Sequence, residues 1–415
     1  MNLILRLYAG TVFQTEYCYE GAKKVRYDFD KVIERRNTQS TKWDSVKALF
    51  GSDDVLPLWV ADMDFRIPQP VIDAISERLK HPVFGYTRVS SNTIGAVTQR
   101  LESKYGWKVS PESVIITPGV VPAVNAAVRA YAGEGGAVVV QSPAYPPFWA
   151  TGPNNKVRTV TNLLRYEGGR YEMDFEALEK AFAESGAKAM ILCSPHNPVG
   201  RVWTREELLK VGEIALSAGA VVISDEIHCE LIHKGHKHIP FASLSPEFAA
   251  NSITCLAASK TFNIPGMHCS VAIIPDEDMR KRFNEARAGL QGTPDFLAII
   301  AMEAAFRYGD EWLEQVLDYI EGNLEFLMKY MEERIPAIKP VRPEGTYLVW
   351  LDCSGLGISD PKELQKFFNE KAKVGMNAGY TFGPGGENFM RMNIACSRSI
   401  LQEALRRIEE AVNLL

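Results

Sequence analysis

Ala220-Val221-Val222-Ile223-Ser224-Asp225-Glu226-Ile227-His228 carries an unbroken apolar run into an acid. A second run, Ile253-Thr254-Cys255-Leu256, leads through Ala257-Ala258-Ser259 into Lys260-Thr261-Phe262-Asn263. Apolar runs without alternation read as strands covered on both faces, which favours a mostly parallel sheet between layers of helices. Ligands of such sheets sit beyond the C-terminal ends of the strands. An acid and a lysine at two of those ends are therefore the first candidates for chemistry.

Outward from this pair the same rhythm continues. Ser113–Thr117, Ala137–Val140, Lys188–Cys193 and Ser270–Ile274 read as further strands. Helices are predicted between them: Val121–Tyr131 after the Pro118-Gly119 turn, Asp174–Glu184 with Asp174 as N-cap, and one opened by the capping box Thr204-Arg205-Glu206-Glu207. Residues 295–335 read as one long amphipathic helix. Tyr347–Asp352 reads as a strand, Pro361–Ala372 as a helix capped by Asp360, and Ile400–Leu414 as another helix. The class is α/β: a large domain over 76–305 and a smaller α+β domain over 306–415. Residues 27–75 form an N-terminal segment packing with the small domain, and 1–26 an appendage.

Composition narrows the function. The 415 residues are 46% hydrophobic and 23% charged, with a formal net charge of -5 and no basic stripe. That excludes a nucleic-acid surface and fits a small zwitterionic metabolite. No apolar stretch approaches the ~18 residues a membrane helix needs, and the apolar start is broken by Arg6 without a basic leader. Seven scattered cysteines without a CxxC read as free thiols in a reducing compartment, so a cytoplasmic protein.

A lysine with a lowered pKa forms imines with carbonyl compounds, and an ionised acid at a buried strand end needs a cation. A carbonyl cofactor with a protonatable ring nitrogen, pyridoxal phosphate (PLP), answers both: Lys260 holds the carbonyl and Asp225 the ring nitrogen. Pro118-Gly119-Val120-Val121 opens a helix and offers free N–H groups to a phosphate. In Pro195-His196-Asn197-Pro198-Val199-Gly200, the prolines hold Asn197 rigidly enough to donate to the ring oxygen. The Tyr145 ring, in Ser142-Pro143-Ala144-Tyr145-Pro146-Pro147, can stack on the cofactor. Arg391 is a guanidinium fork for an α-carboxylate. His228, His233, His236 and His238 lack metal-site spacing, so no metal is expected; they read as a solvated loop with His228 near the cofactor.

From about Tyr27 to its end the chain resembles the fold-type I PLP enzymes, and more closely the cystathionine β-lyase/C–S lyase group of the MalY/PatB type. The resemblance rests on Tyr27-Asp28-Phe29-Asp30 with Ser40-Thr41-Lys42-Trp43-Asp44, on Leu58-Trp59-Val60-Ala61-Asp62-Met63-Asp64-Phe65, on Pro195 to Trp203, and on Asn377-Ala378-Gly379 through Phe382-Gly383 to Arg391. It implies that Lys260 forms the imine, with Asp225, Asn197 and Tyr145 around the ring. It implies phosphate binding by backbone near Gly119, Val120 and Val121. Arg391 would hold the substrate carboxylate, beside the backbone of Ala61 and Asp62. It also implies a homodimer in which Tyr86 reaches the neighbouring subunit's cofactor. Two positions depart from the pattern: His268 stands where many relatives have a basic phosphate clamp, and Ala257 where some have serine. Phosphate binding then rests on backbone N–H groups, Ser259 and Tyr86. The segment Arg88–Thr93 also differs from the aromatic-rich one expected near the entrance.

The implied reaction is α,β-elimination of L-cystathionine or a related cysteine S-conjugate to thiol, pyruvate and ammonia. An aminotransferase would use the same residues, and a PLP-fold regulator or partner-binding protein is the alternative of another class.

Overall fold

In the computed structural model, residues 25–415 are described. The reading of an appendage over 1–26 lies, but for its last two residues, outside them. The larger sheet has seven strands: β1 Val114–Thr117, β2 Ala137–Ser142, β3 Arg158–Leu163, β4 Ala189–Cys193, β5 Val221–Asp225, β6 Ser252–Leu256 and β7 Ser270–Ile273. Their order is β1-β7-β6-β5-β4-β2-β3. All neighbours are parallel except β7, which runs antiparallel to both β1 and β6. Every residue of β4, β5 and β6 is buried, as their unbroken apolar reading requires. The register sets Cys193, Asp225 and Cys255 side by side at the C-terminal edge.

A second sheet is antiparallel throughout: β8 Lys339–Val341, β9 Leu348–Asp352, β10 Asn377–Ala378 and β11 Phe389–Asn393, in the order β8-β9-β11-β10. It carries Arg391 in β11, which is buried along its whole length.

The predicted caps form. Asp174 accepts from Ala177 N at 2.9 Å, and Thr204 and Glu207 complete their capping box. The single helix expected over 295–335 is instead two, Phe296–Tyr308 and Asp310–Arg334. The break is steric. A Cβ on Gly309 would lie 2.3 Å from the Phe262 ring and 2.5 Å from Ala305 O, so glycine there lets the ring after Lys260 pack against the junction.

The N-terminal segment reaches distant parts of the chain. Tyr27 N donates to Gln315 Oε1 at 3.0 Å, and Phe29 meets Phe65 and Trp312 edge-on. Leu56 and Pro57 pair in parallel with Val374 and Gly375. Lys42 is wholly buried and bonds Asp64 Oδ2 at 2.7 Å. Arg35 and the Trp43 indole share the other Asp64 oxygen, so the buried carboxylate is fully paired.

Gly200 closes the turn that presents Asn197. Its φ is +75°, and a Cβ there would sit 2.5 Å from Pro343 Cβ. Gly200→Ala is expected to cost roughly 2–4 kcal/mol, from left-handed backbone plus overpacking. Gly219→Ala, at φ +60° with nothing nearer than 3.6 Å, should cost about 1–2 kcal/mol. Urea unfolding of both variants checks the difference; equal costs would remove the steric argument.

Candidate active site

Lys260 lies in the short helix Ala258–Thr261, directly after β6. Its Nζ donates to Ala61 O at 2.6 Å. Burial pulls its pKa down to about 8, opposed by Asp62 and Asp225 and assisted by Arg391. The amine can therefore be neutral at a pH where ordinary lysines are charged. Asp225 ends β5, and its Oδ1 accepts from Ile227 N at 3.0 Å. Burial pushes this carboxyl up to about 7, with the adjacent Glu226 adding to the rise and Lys260 opposing it. Its flanks in the sheet are the thiols of Cys193 and Cys255, themselves pushed well up by burial. Neither neighbour supplies a cation.

Arg391 points from β11 toward the same region. Its guanidinium donates to Asn197 Oδ1 at 3.0 Å, Trp59 O at 2.9 Å and Asn377 Oδ1 at 2.6 Å, and lies over the Phe382 ring. Burial lowers its pKa to about 10. Its Nε is buried without a partner. Asn197 thus spends its carbonyl on the arginine, and its NH₂ is left to donate to another acceptor. The half-buried Tyr145 meets Phe148 edge-on; burial raises its phenol, while Arg391 opposes and Asp225 adds. It stays a neutral proton donor.

The remaining expected residues are placed as follows. Gly119 is the N-cap of the helix Val120–Tyr131, so Val120 and Val121 carry N–H groups in its first turn, and Pro122 has none to offer. Ser259 is half-buried beside Lys260. His268 is exposed, in left-handed backbone at φ +46°. Tyr86 is fully exposed, in the exposed segment 81–88.

The histidines are not a solvated loop. His228, His233 and His238 are buried, and only His236 is exposed. His238 Nε2 meets Glu226 Oε2 at 2.8 Å, and His233 lies between Glu321 and Thr346 O. Carboxylates at the right positions in other elements permit this burial, and no local pattern announces them. His228 carries a lone unpartnered Nδ1, and burial drops its pKa to about 3, aided by Lys260 and Arg391, so it is neutral.

Of the segment 58–65 the sequence reading gave a role only to Ala61 and Asp62, beside the substrate carboxylate; in the structure Ala61 O accepts from Lys260 and the Asp62 carboxylate pairs with Arg35. Residues 58–65 form an irregular strap across the site. Trp59 O takes Arg391, Val60 O and Asp62 O take Asn393 at 2.6 Å each, and Ala61 O takes Lys260 together with the Tyr347 hydroxyl at 2.9 Å. Arg35 grips the Asp62 carboxylate through both of its oxygens, at 3.2 and 2.7 Å. Asn263, Asn377 and Asn393 all occur within the motif strings or beside Arg391. Asn263 and Asn393 bond strap backbone and Asn377 bonds the Arg391 guanidinium, so asparagines in these strings were the available signal.

The assembled groups are a lysine amine that can lose its proton near neutral pH, a buried acid lacking a cation, a free helix N-terminus, and a guanidinium with an unused N–H. Together they fit a cationic ring with a carbonyl, an anionic tail, and a substrate carboxylate.

The family model for aminotransferases of class I and II matches residues 53–408. The chain is 47% identical over 388 residues to cystathionine beta-lyase PatB of Bacillus subtilis, covering 93% of this chain and 100% of that protein. Among solved structures, PLP-bound putative aminotransferase from Clostridium difficile superposes with a TM-score of 0.90 at 41% identity, covering 94% and 100% of the two chains. Cystalysin from Treponema denticola, which contains a pyridoxal 5'-phosphate cofactor, gives 0.91 at 37% identity, covering 94% and 99%.

In the cofactor-free protein Asp225 keeps its proton up to about pH 7 when folded and loses it near the ordinary aspartate value of 3.8 when unfolded. That contribution to stability is complete at acidic pH and is lost as pH rises through about 7. Asp225→Asn has nothing to lose. Its stability should match wild type near pH 4 and exceed it by roughly 2–4 kcal/mol above pH 8. Urea unfolding across pH tests this; a gap that ignores pH would sink it.

Proposed function

Because the chain belongs to the class I and II aminotransferase family, we propose that it is a PLP-dependent carbon–sulfur β-lyase. Its substrate is an amino acid, L-cystathionine or a related cysteine S-conjugate, and its products are a thiol, pyruvate and ammonia. The observation that carries this reading is the convergence of Lys260, Asp225 and Arg391 on one strand-end site, in a chain close to a cystathionine beta-lyase.

Lys260 would hold the cofactor's carbonyl carbon, Asp225 its ring nitrogen, Asn197 its ring oxygen, and Tyr145 a face of the ring. The N–H groups of Val120 and Val121 after Gly119, with Ser259, would hold its phosphate. When bound, PLP supplies an electron sink for the pair released at the substrate's Cα. Asp225 serves that sink by presenting a carboxylate in a dry site, where its charge is retained only against a cation.

Arg391 binds the substrate carboxylate, with Nε still unused and two nitrogens already oriented by Asn197, Trp59 O and Asn377. Preorientation means little side-chain entropy is lost on binding. Once the substrate's amino group has taken its place, the Lys260 amine removes the α-proton, and a pKa near 8 suits it to work as a base near neutral pH. The departing sulfur takes a proton from Lys260 or from the neutral Tyr145 phenol. The buried groups around them exclude water from the exchange.

We read the protein as a homodimer. Tyr86, Phe84 and Val83 stand exposed on one segment, an apolar surface suited to a second subunit, and Tyr86 would complete the neighbour's phosphate site. Among the described residues six cysteines are free and all are buried, which supports a reducing, cytoplasmic setting.

Purified protein loaded with PLP should release thiol and pyruvate from L-cystathionine over many turnovers with no 2-oxo acid present. Amino-group transfer that requires a 2-oxo acid, without thiol release, would make it an aminotransferase instead. Lys260→Ala should abolish turnover. Arg391→Lys should lower kcat/KM by about 100-fold, the loss of a charge-assisted contact from a guanidinium held in place by Asn197, Trp59 O and Asn377. A much smaller fall would move the carboxylate site elsewhere.

A further inference from the structure

Asn263 lies three residues beyond Lys260, on the same turn, and its backbone is left-handed at φ +57°. Asparagine tolerates that region better than other residues with a side chain. Its amide reaches the strap. Oδ1 accepts from Met63 N at 2.8 Å, and Nδ2 donates to Met63 O at 3.0 Å and Phe65 O at 2.9 Å. Both N–H groups are spent on carbonyls roughly 200 residues away along the chain, and the turn is held locally by Ile264 N on Ser259 O.

The strap thus has two amide clamps. Asn393 grips Val60 and Asp62 from β11, and Asn263 grips Met63 and Phe65 from the lysine's own turn. Ala61 O, the acceptor of Lys260 and Tyr347, sits within the first grip and directly before the second. Tyr347 and Asn393 come from the small sheet's region, so they fix Ala61 relative to Arg391. Asn263 ties the adjoining strap residues Met63 and Phe65 to the turn that carries Lys260.

We propose that Asn263 is a positioning residue, which fixes the strap so that the Ala61 carbonyl meets the Lys260 amine whenever that amine is free. This rests on the reading of Lys260 as the imine-forming residue. A carbonyl at that distance stabilises the ammonium more than the amine, so its displacement makes the lysine more acidic. The other charged or titratable groups around Lys260, namely Asp62, Asp225, Arg391, His228 and Tyr347, keep their identities in the variants below, except where Tyr347 is itself replaced.

The test follows the yellow colour formed when PLP is added to cofactor-free protein across a range of pH. Its rate rises as Lys260 loses its proton, so the midpoint reports that group. Asn263→Gly accepts the left-handed backbone but removes all three bonds, and should lower the midpoint by about one pH unit. Asn263→Ser, whose hydroxyl is too short to span the strap, should do the same if the glycine variant melts early. Tyr347→Phe frees Ala61 O for the lysine alone and should move the midpoint the other way. An unchanged midpoint in a normally melting Asn263 variant overturns the proposal, as does a shift of both sites in one direction. Wild-type protein that never turns yellow overturns the reading of Lys260 instead.

Discussion

The carbonyl oxygen of Ala61 accepts from two side chains that begin 199 and 286 residues further along the chain. Much of the site depends on that convergence. Strand ends of the larger sheet supply Lys260 and Asp225, and the smaller sheet supplies Arg391. Neither sheet by itself fixes the distance between them. An eight-residue strap with almost no secondary structure of its own does so, because its carbonyls are divided between the two sides. Buried backbone must be paired. Here backbone partners near the strap's two ends and side chains of asparagine, arginine, tyrosine and lysine between them meet the requirement, so the pairing that satisfies the strap also aims the functional groups.

Desolvation is the second organising force. Lys260, Asp225, Arg391 and His228 are all shifted toward their neutral forms, and burial is the largest cause for each. A site of this kind is destabilised by its own charges until ligands arrive to pair them. The two thiols beside Asp225 fit that pattern: they fill space at the sheet edge while offering the acid almost nothing. The stability withheld at Asp225 is recovered when a cation binds there, which couples cofactor retention to folding.

The helical break at Gly309 and the buried histidines show where one-dimensional reading gives out. The helical reading of 295–335 carries straight across Gly309, and the Phe262 ring, packed from elsewhere, accounts for the glycine at the junction. His233 and His238 look like parts of a polar loop because the carboxylates and carbonyl that pair them, Glu321, Thr346 and Glu226, are recognisable only once the chain is folded.

Local sequence determined six of the larger sheet's seven strands, the exception being the largely exposed edge strand β3, together with helix caps and the strand-end positions of Lys260, Asp225, Asn197 and Tyr145. These follow from period, propensity and turn chemistry, which act over a few residues. Arg391 was legible as a carboxylate fork by chemistry alone, but not its orientation. Tertiary structure decided the strap's partners, the unpaired nitrogen of Arg391 and the depressed or raised pKa values. Each depends on burial and on groups from remote segments, and burial is a property of the packed molecule that no local pattern encodes.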